Sequence, residues 1–90
     1  MPRAGVATRE GMQMDVTVKV YGELYRYVPG GKDQAVVTVP PGSTLQDLLQ
    51  FLAIPDYEIW TMLVNRRRAK GATALGEGDI VEIFAPVAGG

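Results

Sequence analysis

The stretch Ser43–Leu52, "STLQDLLQFL", lies between Pro40-Pro41-Gly42 and Pro55, and its reading decides the fold. Leu45, Leu48, Leu49 and Leu52 recur at i, i+3, i+4 and i+7, the spacing that lines one face of an α-helix. Ser43 with Gln46 matches a capping box, in which a hydroxyl and an amide take up backbone N–H groups that a helix start leaves free. Pro55 has no N–H to donate and is expected to end the helix. A helix with four leucines on one face needs an apolar surface to cover. The flanking segments are therefore expected to supply a sheet.

They read as strands. In "DVTVKVYGEL", residues 15–24, Val16, Val18 and Val20 alternate with Thr17, Lys19 and Tyr21, the pattern of a half-buried strand. Tyr21, Tyr25 and Tyr27 share a face if that segment stays extended. Pro29-Gly30-Gly31 is turn chemistry, and "AVVTV" is a second, β-branched strand. Beyond the helix, "IWTMLVN" is a third strand, with Trp60, Met62 and Val64 on one face at the core or its rim. "RRRAKGATALGEGD" is a polar connection with room for one short strand. "DIVEIFAP" is the last strand, with Val81, Ile83 and Ala85 on one face and Ile80, Glu82 and Phe84 on the other. The order β-β-α-β-β belongs to the α+β class, a mixed sheet with one main helix packed on one face. It matches the β-grasp, or ubiquitin-like, arrangement. The expected organisation is a β-grasp domain over 14–85 and a flexible C-terminal tail over 86–90. Residues 1–13 read as a disordered extension or as residues upstream of the true start, with Met14 an alternative first residue.

Composition narrows the function. Ninety residues make one small domain, which buries only about 60% of the surface its unfolded chain exposes. A net charge of −1 lacks the basic excess with which a nucleic-acid binder displaces counterions. No apolar run approaches the roughly 20 residues of a membrane span, and residues 1–13 have no apolar core of a secretory signal. A cytoplasmic location is the expectation. The chain has no Cys and no His, hence no thiolate nucleophile, no sulfur ligand for a metal and no imidazole for proton transfer near neutral pH. It is a poor candidate for an enzyme acting alone, and no metal or cofactor is expected on it.

Most motifs have bland readings that win. "PGGKDQ" lacks the Ser or Thr and the helix that follow the lysine of a phosphate loop, and "GEGD" is a turn before a strand. Arg66, Arg67, Arg68 and Lys70 read first as a solvated turn, with a docking point for an acidic or phosphate-bearing partner as the alternative. Ile80 and Phe84 lie on the open sheet surface if Val81 and Ile83 face the helix. A large apolar group there marks a partner interface, or merely covers the sheet. The ending is different. "PVAGG" follows a strand within a few positions, and five residues reach about 17 Å when extended. Glycine passes channels where any Cβ clashes, so Gly89 and Gly90 could carry a carboxylate deep into another protein.

"GDIVEIFAPVAGG", following "PPGSTLQDLL" and "LVNRRRA" in this order, resembles the MoaD/ThiS-type sulfur carriers over Met14 to Gly90. "PVAGG" is similar to the ending of molybdopterin synthase small subunits, although Ala85 stands where a second proline is common. The resemblance implies that Gly90 is the reactive residue, with its carboxylate converted to a thiocarboxylate, and that Gly89 gives access. It implies that Pro86, Val87 and Ala88 form the threading segment and that Ile80 and Phe84 help to dock partners. Those partners would be an activating enzyme that uses ATP and magnesium, a sulfur donor protein, and the large subunit of molybdopterin synthase. Two alternatives stay open: a carrier for thiamine thiazole synthesis, and a ubiquitin-like modifier joined to lysines.

Overall fold

The computed structural model describes residues 13–86. The readings made for residues 1–12 and for Val87, Ala88, Gly89 and Gly90 lie outside them. In chain order the elements are β1 (Met14–Tyr21), a 3₁₀ segment (Gly22–Tyr27), β2 (Gln34–Val39), α1 (Leu45–Leu52), β3 (Thr61–Val64), β4 (Arg67–Arg68) and β5 (Ile80–Phe84). The five strands form one sheet in the order β2-β1-β5-β3-β4. β1 and β5 run parallel, and the other neighbours are antiparallel. This is the β-grasp architecture.

Alternation along the strands builds the core. Val16, Val18 and Val20 of β1, Val37 and Val39 of β2, and Val81 and Ile83 of β5 are buried on one face, together with Leu45, Leu48, Leu49 and Leu52 of α1. Each buried leucine contributes about 1.5–3 kcal/mol. The opposite face of β5 presents Ile80, Glu82 and Phe84. Among the described residues, the leucine stripe of α1 packs on the other face of the sheet.

Four sequence expectations are corrected. The capping box sits one residue later, on Thr44 and Asp47: Asp47 N–H donates to Thr44 Oγ1 at 3.2 Å, and Thr44 N–H donates to Asp47 Oδ2 at 2.9 Å. Ser43 is buried, and its hydroxyl donates to the Pro40 carbonyl at 2.7 Å, so it closes the preceding turn instead. Gln46 N–H donates to the Gly71 carbonyl. The helix stops before Pro55, because Ala53 adopts the left-handed conformation (φ 61°) and turns its N–H back to Gln50 and Leu49.

The tyrosines do not share a face. Gly22 at φ 80° ends the extended run, and the 3₁₀ segment turns Leu24 into the core. Trp60 is not core: it precedes β3 and is 66% exposed, whereas Met62 and Val64 pack against the core. The polar connection does form a short strand, β4, through Asn65 (φ 52°) and Arg66 (φ 73°), the positive-φ pair of a tight hairpin. Among the described residues, no helix is long and apolar enough to cross a membrane.

Candidate functional site

The site begins where β5 hands the chain to its last residues. Parallel pairing sets Tyr21 beside Phe84. Their rings stack with centroids 4.3 Å apart and planes 6° apart. The Phe84 carbonyl accepts from Trp60 N–H at 2.7 Å. On the other side Gly22 lies so close to Ala85 that a Cβ added there would meet the Ala85 Cβ at 3.0 Å. Ring, carbonyl and glycine together fix the direction in which the chain leaves the sheet at Ala85 and Pro86. A groove of about 570 Å³ opens beside this exit, walled by Tyr21, Tyr57, Trp60 and Phe84. Glu58 holds one rim by accepting from Arg26 Nη2 and from the Tyr27 hydroxyl, each at 2.8 Å.

Glu82 is the unexpected member. It is 4% exposed although strand alternation puts it on the face opposite α1. Register places it in a row across the sheet with Gln34, Lys19, Leu63 and Arg68. The Tyr21 hydroxyl donates to its Oε2 at 2.6 Å. Its Oε1 is buried and has no hydrogen-bond partner among the described residues. The Arg66 guanidinium is nearest, at 3.7 Å. The bond to Glu82, with lesser help from burial and from the carboxylate's charge, pushes the Tyr21 phenol above its ordinary range.

Of the residues singled out in the sequence, Ile80 and Phe84 stand on this open face, Ile80 being 38% exposed and Phe84 half-buried under Tyr21. Pro86 is exposed at the exit. Val87, Ala88, Gly89 and Gly90 lie outside the described residues. The basic cluster does not form one patch: Arg68 pairs with Leu63 on the open face, while Arg67 pairs with Val64 on the helix side. The sequence reading places Glu82 and Tyr21 on strand faces but assigns neither them nor Gly22 to a site. A lone carboxylate inside the apolar run "IVEIF" was the available signal; the register that supplies its tyrosine was not. Among the described residues, no cluster of three or more Asp, Glu, His or Cys could hold a metal.

The model of the ThiS family matches residues 18–90, the greater part of the chain. The chain belongs to the ThiS family. Family membership accounts for the β-grasp sheet and for a match that runs through β5 to Gly90. Among solved structures, the HVO 2177 protein of Haloferax volcanii is similar at 28% identity and a TM-score of 0.67, over 88% of this chain and 89% of that one. Small archaeal modifier protein 1 of the same organism shares the fold at 22% identity and a TM-score of 0.66, over 82% and 99%. So does a chain from the complex of subunits 1 and 2 of the molybdopterin-converting factor of Helicobacter pylori, at 20% and 0.57, over 86% and 100%. No curated protein matches the chain in sequence.

Proposed function

We propose that this family member is a sulfur carrier whose Gly90 carboxylate is activated by a partner and exchanged for a thiocarboxylate, which then supplies sulfur for molybdopterin as the small subunit of its synthase. The family match through Gly90 carries the reading, and the fixed exit of β5 at Phe84 and Ala85 fits it.

A terminal carboxylate, with a reference pKa of about 3.3–3.7, is ionised near neutral pH and resists nucleophiles. An activating enzyme using ATP and magnesium meets that difficulty. A carboxylate oxygen attacks the α-phosphorus of ATP and pyrophosphate departs, leaving an acyl-adenylate. Sulfide-level sulfur then displaces AMP directly, or a donor's persulfide displaces it to form an acyl disulfide whose S–S bond a thiol reductant cleaves, and in either case Gly90 ends as a thiocarboxylate. Gly89 admits the terminus to a narrow channel, and Pro86, Val87 and Ala88 span the distance. Neither Cys nor His is required on the carrier, in keeping with a sequence that has none.

The large subunit of molybdopterin synthase is the expected acceptor-side partner, by analogy with the neighbour solved as a complex of two subunits. Incubation with an activating enzyme, ATP, magnesium and a sulfur donor should raise the intact mass by the difference between sulfur and oxygen. Deleting Gly89 and Gly90 should abolish the shift. An unchanged mass with every such enzyme tried would sink the proposal.

The modifier of similar fold favours a second reading, in which Gly90 is joined to lysines of other proteins. Higher-mass conjugates in cell extract, lost on deleting Gly90, would point there. A thiazole-forming synthase is the remaining acceptor, and stoichiometric co-purification with one enzyme or the other separates the two sulfur pathways.

A further inference from the structure

The two edges of the sheet are built differently. β4 is two residues long and both are arginines, so that edge has the shortness and the charge that discourage a further strand. β2 has neither. Its six residues, "QAVVTV", carry no charge and no proline, and they pair one to one with β1 without a bulge. Among the described residues no strand lies beyond β2. Val36, near its middle, is 64% exposed on the face opposite α1.

Register tells which backbone groups on this edge are free. Val20 N–H donates to the Asp33 carbonyl at 2.9 Å. Hydrogen-bonded pairs alternate with unbonded ones along an antiparallel ladder. Ala35, Val37 and Val39 therefore turn their N–H and C=O groups to β1, while Gln34, Val36 and Thr38 turn theirs outward. These outward residues read polar, apolar, polar, symmetric about Val36. The same strand reversed is thus their natural complement. It sets Val36 opposite Val36 of the second copy and Gln34 opposite its Thr38, each pair exchanging both N–H···O bonds.

The side chains agree with that register. The two exposed valines cover each other. The Thr38 hydroxyl donates to Asp15 Oδ1 at 2.7 Å, which leaves its oxygen able to accept from the Gln34 amide of the second copy. No like charges face each other along the strand. Pro40, the next position that would point outward, has no N–H to donate and ends the ladder.

We propose that β2 is a homodimer interface, at which two copies of this chain pair antiparallel about Val36 and join their sheets into one. The contact is isologous, so it closes at two copies. β1 separates β2 from β5, and the exit at Phe84 stays uncovered in both copies. The inference is therefore independent of the sulfur-carrier reading.

A ladder this short is a small interface of the transient class, so sedimentation equilibrium of the full chain should span about 10 µM to about 1 mM. The average mass should rise from monomer to dimer over that range. Exchange of the Val36 amide should slow as the dimer forms, and that of the Arg68 amide should not. Val36→Lys and Val36→Glu each set like charges opposite one another and should weaken dimerisation about fivefold or more. Mixed in equal amounts, the two variants should associate more tightly than either alone, because residue 36 faces itself. The concentration dependence of amide exchange needs no variant and decides the matter if either fails to fold. A chain that stays monomeric throughout overturns the inference, as does a dimer that both variants leave unchanged. A mixture no tighter than its components overturns it too. Protection of Val36 that appears only when another protein is added names a different occupant of this edge, with the same consequence.

Discussion

Tyr21 shows how much one residue does at the root of the C-terminal segment. Its ring stacks on Phe84 and its hydroxyl holds Glu82, so the same side chain orders an apolar and a polar neighbour. The bond to Glu82 raises the phenol's folded-state pKa, with further contributions from burial and from the charge of Glu82 and Asp33, opposed by Arg66. The folded chain therefore holds that proton more tightly than the unfolded chain does. The stabilisation is fully present below the unfolded value of about 10 and is lost as pH rises through the raised folded-state value. Urea unfolding followed from pH 8 upward should find Tyr21→Phe less stable than the unaltered chain near neutrality, with the two curves converging in alkali. Curves that stay parallel would show that the hydroxyl bond does not depend on protonation. Tyr27 rises for the same reason through Glu58, and that contribution is common to both proteins.

At the scale of elements, the helix was legible in its face and misread at both ends. Leucines at 45, 48, 49 and 52 specify the buried stripe whatever the neighbouring residues do. The cap depends on which hydroxyl is free, and tertiary folding assigns Ser43 to the Pro40 carbonyl. Thr44→Ala should therefore cost about 1 kcal/mol of stability, as loss of an N-cap does. Ser43→Ala tests the assignment from the other side, since it should leave the α1 amides protected from exchange where Thr44→Ala exposes them. The strands were legible for the same reason as the leucine stripe, because alternation around Val16, Val18, Val20, Val81 and Ile83 reports burial directly. Alternation also put Ile80, Glu82 and Phe84 on one face. It could not reveal that Glu82 is covered there, because its neighbours Tyr21 and Lys19 lie some sixty positions earlier in the chain. The tyrosine spacing misled because the αL glycine at 22 ends the strand, and a Gly within an alternating run is ambiguous between a bulge and a stop.

For the molecule as a whole, sheet order decides where rigidity lies. β1, β5 and β3 are interior, each hydrogen-bonded on both sides, while β2 and the two-residue β4 form the edges; of the three, β1 and β5 have the longer neighbours. Local opening follows burial and bonding. Amide exchange should accordingly be slowest in β1, β5 and the leucine stripe of α1, and fastest in β4 and the Asn65–Arg66 turn. Comparable protection in β4 and β5 would mean that the sheet opens as one unit and that the exit at Phe84 is no firmer than the rim. Firmness there matters to any reading in which the terminal residues are presented to an enzyme, since a well-fixed exit limits the volume they must search.

The parallel run of β1 and β5 has a practical side for handling this chain. Because Tyr21 lies beside Phe84, the first residue of β1, Met14, begins at the far end of the sheet, about 23 Å away along the strand. A purification handle or fluorescent reporter joined ahead of Met14 would thus start out remote from the end of β5 at Phe84. The same cargo appended after Gly90 would occupy the only group the carrier reading has to offer.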